Sequence, residues 1–573
     1  MSFDLPRSSD IEAARSSRFR STHPFSRFAR RAGVFLLLAG GIAVGASSLS
    51  NYLERPVIDR LEPAIGEPGK AVTIIGRNFG AAKADSRVEV DGVAPTSSAY
   101  ISWSDKEIRL RFPQTVDSGL VHVITRRGSS NPQLFMNKAR LPVLAAGGLS
   151  GRTGPYIASV STEQGPIGSL LAIAGLDFGE NREEGKVLFP WAADYGANAQ
   201  LAQGAPTTIE GMEGDACYEL WSDKEIKVRV PDGAVSGAIA VATAKGRSNG
   251  VFFRVSDAPG LKTYKDPRSY SFSQSVSVAN LKVSGPNEFF LWVPRPAECA
   301  SQRLDRILSQ DPVPLIPDYH GTALFRFKDL QNGAAFSIAQ SFLVTVYAVE
   351  TQVNADRISL KPTNPPSLMT DYTRADPVVP SDDPRIKALA ESIVGAEANP
   401  WRKTRLVWNW VEKNLAWSPF KERMHPQDAL KDKSADSYSY ALVTCALLRA
   451  AGVPSRPIAG YLIDPNRRAV RHYWLEVFIY GLGWVPLDPI LGSGASPGGI
   501  AVAWDDRSRY LGGVDDRHLA FSRGFSTLAP MAPDGRRVSK ERRWSLQSFY
   551  EEATSHIQDY SSYWGDIEVT GLY

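Results

Sequence analysis

The chain is poor in cysteine: Cys217, Cys299 and Cys445 are the three among 573 residues. So small and odd a number excludes a disulfide framework. One bridge between Cys217 and Cys299, or none, is what it leaves open. The cysteines have no ligand spacing and His425 stands isolated, so no metal cluster is legible and no cofactor is expected. Low-complexity tracts are absent. The body of the chain also lacks a basic run. Net charge is +4, and residues 1–46 carry all of it through seven arginines against Asp4, Asp10 and Glu12. The remaining 58 basic and 58 acidic residues balance, which argues against a nucleic-acid partner. Long hydrophobic runs are scarce. Residues 32–46, AGVFLLLAGGIAVGA, are uncharged but shorter than the ~20 residues that span a bilayer comfortably.

That segment and its Arg-bearing flank fit export. Val44-Gly45-Ala46 supplies the small residues that precede a signal-peptidase cut. The reading is a secretory signal with a long basic n-region; the close alternative is an uncleaved anchor reaching to about Leu53, with the basic arm inside. Either reading puts everything after residue 50 in the cell envelope, facing the periplasm or secreted, with membrane contact through the N-terminal segment. The length allows three or four domains. Glycine and proline are spread along the chain, which suits many short strands and turns.

An internal repeat follows. WSDKEIRLRFP begins at Trp103 and WSDKEIKVRVP at Trp221; upstream lie AVTIIGRNFG (71–80) and LLAIAGLDFG (170–179). The final elements are SGLVHVITRRGSSN and SGAIAVATAKGRSNG. The second copy carries about 20 extra residues rich in Gly, Ala and Gln, read as a loop insertion. Apolar and polar residues alternate over short runs, as half-buried sandwich strands require. The pattern resembles the IPT/TIG family of immunoglobulin-like domains over 56–137 and 155–256. Residues 262–375 continue in strand-like runs such as EFFLWVPRP and SFLVTVYAVET. They resemble the β domain that precedes the catalytic core in some bacterial transglutaminase-like proteins.

Helical spacing begins after the loop SDDP (381–384). Residues 385–414 read as two amphipathic helices broken at Asn399-Pro400. A third helix is expected from near Ser437 to Gly452, before Pro454. Two strands and a turn follow in RHYWLEVFIYGLGWVPLDP (471–489). In order, the matching positions are Tyr440 and Ala441, Leu447 to Arg456, Gly460 and Tyr461, His472 with Trp474 and Glu476, and Gly483 to Pro489. This series resembles the transglutaminase-like family over 376–525, and DDRHLAFSRG (515–524) looks like its C-terminal segment. The departure is at the nucleophile. The family's cysteine falls on Ser437, and Cys445 lies eight residues further along the helix, about 12 Å away along its axis.

The resemblance implies an acyl-transfer site of Ser437, His472 and Asp488. A nucleophile at a helix N-terminus feels the positive end of the dipole and free N–H groups. That suffices to favour a thiolate, whereas a hydroxyl needs full general-base help from His472, oriented by Asp488. Taken alone, Ser437 is also an ordinary helix-capping residue. Trp417 either lines the cleft or simply packs, Trp484 reads as core, and Glu476 reads as a strand-face polar residue.

The expected architecture is therefore multidomain: two all-β immunoglobulin-like sandwiches, a further β domain, and an α+β transglutaminase-like core of cysteine-protease type. Residues 1–53 form the basic arm with signal peptide or anchor, and 526–573 a C-terminal extension. Three functions stay open at this point. One is a serine-variant acyl transferase or amidase. Another is a catalytically silent descendant whose cleft binds ligand. The last is a structural or adhesive envelope protein. The partner would be an extracytoplasmic protein, peptide or cell-wall component.

Overall fold

The computed structural model describes residues 55–573 except 64, 67–68, 91–92, 113–118, 138–153, 196–205, 212–215, 257–258 and 420–424. The leader readings fall outside the described residues. Among the described residues no helix is long and apolar enough to cross a membrane. The chain divides into two units near residue 150.

The first unit holds one β sandwich. One sheet orders the strands Val57–Glu62, Ala71–Arg77, Glu107–Arg111 and Tyr100–Trp103; the other is built around Gly119–Thr125. Alternation along Ala71–Arg77 sends Val72 and Ile74 into the core, where both are fully buried. The second copy, inside the second unit, repeats this order with Tyr156–Val160, Leu170–Leu176, Glu225–Arg229 and Tyr218–Trp221. Its inserted loop contributes one short strand, Thr208–Glu210, which extends the second sheet at Lys186–Pro190. In each copy the repeated tryptophan donates its indole N–H to a backbone carbonyl: Trp103 to Phe79, Trp221 to Phe178.

The third β region is a two-sheet sandwich of long strands. Gly260–Val283 pairs with Phe336–Val353, and Glu288–Pro294 pairs with Thr322–Lys328. Residues 526–573, read from sequence as an extension, complete this sandwich. Ile557–Trp564 and Glu568–Leu572 pair with Gly260–Val283, and Glu551–Ala553 pairs with Glu288–Pro294. Such pairing leaves no local signal, because each strand is specified by a partner more than 250 residues away.

The α+β core carries the site. Its helices are α1 Pro384–Val394, α2 Pro400–Asn414, α3 Pro426–Asp432 and α4 Ser437–Ala450. Its strands are β1 Ser455–Ile463, β2 Ala469–Ile479, β3 Gly483–Leu487 and β4 His518–Arg523, in the order β3-β2-β1-β4, all antiparallel. Asn399 caps α2 by accepting from Trp401 and Arg402 N–H, which is why the helical pattern breaks there. Helix α4 is buried on nearly every side, from Ser439 to Arg449. An all-round apolar helix belongs in a core, at roughly 1.5–3 kcal/mol for each large apolar side chain fully buried. Gly460 on β1 has a steric reason: a Cβ there would sit 2.0 Å from the Leu519 carbonyl oxygen.

The second immunoglobulin-like module is fused to the back of this core. Its buried residues share one cluster with Ile458, Trp474, Val514 and Ala520. Asp232 of the module accepts from Lys262 Nζ at 2.5 Å, and Lys262 also donates to the Trp484 carbonyl. Gly483, at φ +78°, leaves the space that the Asp232 carboxylate occupies.

Candidate active site

Ser437 is the first residue of α4, as expected, but it is not the cap. Asp436 caps the helix, its carboxylate accepting from Ser439 N–H at 2.9 Å. Arg542 pairs with Asp436 from the C-terminal segment and lies over the Tyr438 ring, 4.5 Å from its centroid. Position N1 leaves the Ser437 hydroxyl free to point outward, into a cleft of about 480 Å³. Trp417, Tyr438, Arg471, Tyr473 and Arg542 line the same cleft. Tyr438 and Tyr473 pack edge to face at 5.1 Å, and burial pushes the Tyr438 hydroxyl up to about 12. Trp417 thus lines the cleft, and its indole N–H donates to Ser437 Oγ at 3.0 Å.

His472 sits on β2 and is fully buried. Its Nε2 lies 2.7 Å from Asp488 Oδ2. Its Nδ1 is buried and has no hydrogen-bond partner among the described residues. Ser437 and His472 therefore share no hydrogen bond. Trp474, two residues on, stacks against the His472 ring at 6.0 Å. The alternation of β2 places Glu476 on the same side, where it accepts from Arg456 and Arg523. Arg456 in turn lies 3.6 Å over Trp484. Glu476 and Trp484 are thus structural, one anchoring two buried arginines and the other filling the core.

Asp488 is also fully buried. One oxygen, Oδ1, caps a short helix, α5 Pro489–Gly492, through the N–H groups of Ile490 and Leu491. The other, Oδ2, accepts twice: from His472 and from His518 Nε2 at 3.0 Å. Burial alone would raise the Asp488 carboxyl, but the two histidines outweigh it and hold the group well below the usual carboxylate range. His518 faces Asp515 through its other nitrogen, at 3.0 Å. Burial works against the charged His518 ring, yet Asp515 and Asp488 outweigh it and push the group up to about 9.

The structure thus brings His472 and Asp488 together but not Ser437: its cleft is lined by Arg471 and Tyr473, and strand alternation turns the fully buried His472 to the other face of the sheet. Cys445 is fully buried on the core side of α4, against Ser455 Oγ at 3.3 Å, and takes no part. Cys217, Cys299 and Cys445 form no disulfide with one another. Sequence reasoning missed two contributors. His518 lay within DDRHLAFSRG, where the only signal was a histidine inside an acidic and basic run. Arg542 gave none, since its partner is 106 residues away.

One group of residues has metal-ligand chemistry among the described residues. His472, Asp488 and His518 each offer an atom within 4.8 Å of the others. Their separations of 16 and 30 residues form no spacing motif. A metal-bound histidine donates its second N–H to an acceptor, and His472 Nδ1 has no such partner among the described residues. The fit is to a hydrogen-bond relay. A neutral His472 holding its proton on Nε2 would present a lone pair at Nδ1, which is what a proton acceptor needs. Without a bond from that lone pair to Ser437, the hydroxyl has no base acting on it.

Comparison with known proteins places these features. The transglutaminase-like superfamily model matches residues 387–489, and the IPT/TIG domain model matches 56–136. A Haemophilus influenzae protein of unassigned function is 28% identical, over 21% of this chain and 39% of its own length. A cyclomaltodextrin glucanotransferase of Paenibacillus macerans is 31% identical over 14% of this chain and 11% of its own. The chain thus spans well under half the length of these relatives. Among solved structures, a candidate cysteine protease from Cytophaga hutchinsonii aligns with 55% of this chain and 91% of its own, at 15% identity and TM-score 0.33. The periplasmic domain of TgpA from Pseudomonas aeruginosa aligns with 41% and 88%, at 15% identity and TM-score 0.23. The chain carries an IPT/TIG domain, followed in sequence by a domain of the transglutaminase-like superfamily.

Proposed function

We propose that this is a cell-envelope protein whose transglutaminase-like cleft binds a peptide or protein ligand without turning it over. The observation that carries this reading is the hydrogen bonding of Ser437: its Oγ accepts from Trp417, and no bond joins it to His472. A thiolate in that slot would need no base at the moment of attack, but a hydroxyl does. The cleft itself is intact, with aromatic rings and the paired charges Arg471–Asp566 and Arg542–Asp436 at its walls. Such walls suit an extended polypeptide, whose backbone offers polar groups and whose side chains offer apolar surface. Export is supported by the Arg-bearing flank and apolar run at the N-terminus.

A specific observation favours a second reading, a serine-variant acyl transferase or amidase. The His472–Asp488 pair is complete at 2.7 Å, with Nδ1 unoccupied. If Ser437 moved to meet it, its Oγ would attack the amide carbonyl carbon, His472 would take the hydroxyl proton and pass it to the departing amine as the C–N bond breaks, and Asp488 would hold the ring. A fluorophosphonate probe separates the two readings. The binding protein leaves its hydroxyl unlabelled, whereas labelling of Ser437 in the wild type, lost in Ser437→Ala, would establish the enzyme.

A further inference from the structure

We propose that His518 is a positioning residue of this site: a second histidine, doubly protonated between Asp488 and Asp515, that fixes the Asp488 carboxylate on His472 and offsets its charge. The inference rests on the reading that His472 and Asp488 keep an ordered pair.

The geometry of His518 dictates its protonation. Its Nε2 lies 3.0 Å from Asp488 Oδ2 and its Nδ1 lies 3.0 Å from Asp515 Oδ1. A neutral imidazole carries one N–H and one lone pair. One of these contacts would then set a lone pair against a carboxylate oxygen where His518 is 3% exposed. Two protons remove that conflict, and the raised affinity of the ring for its second proton agrees. Asp515 is held on its far side by Arg517 at 2.9 Å and the Tyr510 hydroxyl at 2.8 Å. Charge therefore alternates through Arg517, Asp515, His518 and Asp488. The other ionisable groups near the ring are compensated pairs: Glu476 with Arg456 and Arg523, and Asp232 with Lys262.

The consequence falls on His472. An aspartate bonded to one histidine alone stabilises that ring's charged form. Here Oδ2 is shared, and the His518 ring centroid is 5.7 Å from that of His472. His518 thus fixes the carboxylate oxygen on which His472 Nε2 sits, and two rings share its single negative charge.

The test is nitrogen-15 NMR of the histidine rings in the full chain, wild type and His518→Gln, titrated over about pH 5 to 9. Glutamine keeps a donor to Asp488 but removes the charge. The expected wild-type spectrum shows both His518 nitrogens protonated at neutral pH and His472 protonated on Nε2. In His518→Gln, the His472 Nε2–H should exchange with solvent about tenfold faster, because Asp488 loses the charged partner that fixes it. An unchanged His472 Nε2–H exchange rate, or a His518 ring with one bare nitrogen at neutral pH, would overturn the proposal. Stoichiometric Zn²⁺ uptake that strips the Nε2 protons from both rings would overturn it too. Should the variant fail to fold, the wild-type spectrum decides alone. None of these readouts depends on turnover, so an inactive wild type leaves the proposal standing and an active one does not establish it.

Discussion

Stability of the second unit should fall as pH rises from about 6.5 to about 9. His518 is the group responsible. In the folded chain its affinity for the second proton is raised from the ordinary 6.5 to about 9. Folding therefore binds more protons than unfolding between those values, and stability decreases with pH across that window. The contribution is complete below the unfolded value and gone above the folded one. Two and a half pH units correspond to ~3 kcal/mol at 1.36 kcal/mol per unit, a large fraction of a typical domain's stability. Asp488 and Asp515 do not contribute in this range. Both are held well below the usual carboxylate range, so they are ionised in folded and unfolded chains alike above about pH 6. Their own contribution is lost at the acid end, as pH falls through their folded values. The assay is urea unfolding at several pH values between about 6 and 9.5, followed by tryptophan fluorescence, for which Trp474 and Trp484 are buried reporters beside the network. His518→Gln should be less stable at about pH 6 and show a much flatter profile. A wild-type midpoint constant from about pH 6.5 to 9, or a variant with the wild-type slope, would refute the reasoning.

Three further outcomes follow from particular contacts. Asp232→Ala strips Lys262 of its carboxylate partner at the junction of module and core, and breaking a buried pair this way typically costs about 3–5 kcal/mol; calorimetry of the full chain should show the core melting earlier, and an unchanged transition would mean that the junction contributes nothing. In a Ser437→Cys background, Trp417→Phe removes the indole donor at the nucleophile, and a lost hydrogen bond of roughly 1–1.5 kcal/mol should slow iodoacetamide alkylation at neutral pH about tenfold. Arg542→Gln leaves Asp436 without its guanidinium partner at the start of α4, and should cost about 1–3 kcal/mol in thermal unfolding, while Arg537→Gln, on the exposed end of the same segment, should cost little.

What could be read from the sequence was whatever is local. The helices α1 and α2 followed from apolar spacing and the Asn399-Pro400 break, and their observed bounds are Pro384–Val394 and Pro400–Asn414. The start of α4 followed from the register through Tyr440 to Arg456, which also kept Cys445 away from the cleft. The repeat announced two sandwiches with the same strand order. The remainder depends on contacts that local pattern does not encode. Strands Ile557–Trp564 and Glu568–Leu572 are assigned by pairing across some 290 residues. The repeat by itself suggests beads on a string, yet Lys262 bridges Asp232 of the second copy to the Trp484 carbonyl of the core, beside Gly483, which leaves room for that carboxylate. His518 looked like one polar residue on a strand, and its role depends on two carboxylates reached from β3 and from the turn before β4. Trp417 read more readily as simple packing, yet its indole N–H donates to Ser437 Oγ.

The central claim is that the cleft is ordered and that its serine has no base within hydrogen-bond reach. The most direct measurement is incorporation of a labelled primary amine into a glutamine-bearing peptide, with wild type, Ser437→Ala and Ser437→Cys compared at equal concentration. Activity in Ser437→Cys alone, abolished by adding His472→Ala, is the expected result. Wild-type activity lost in Ser437→Ala would contradict the claim.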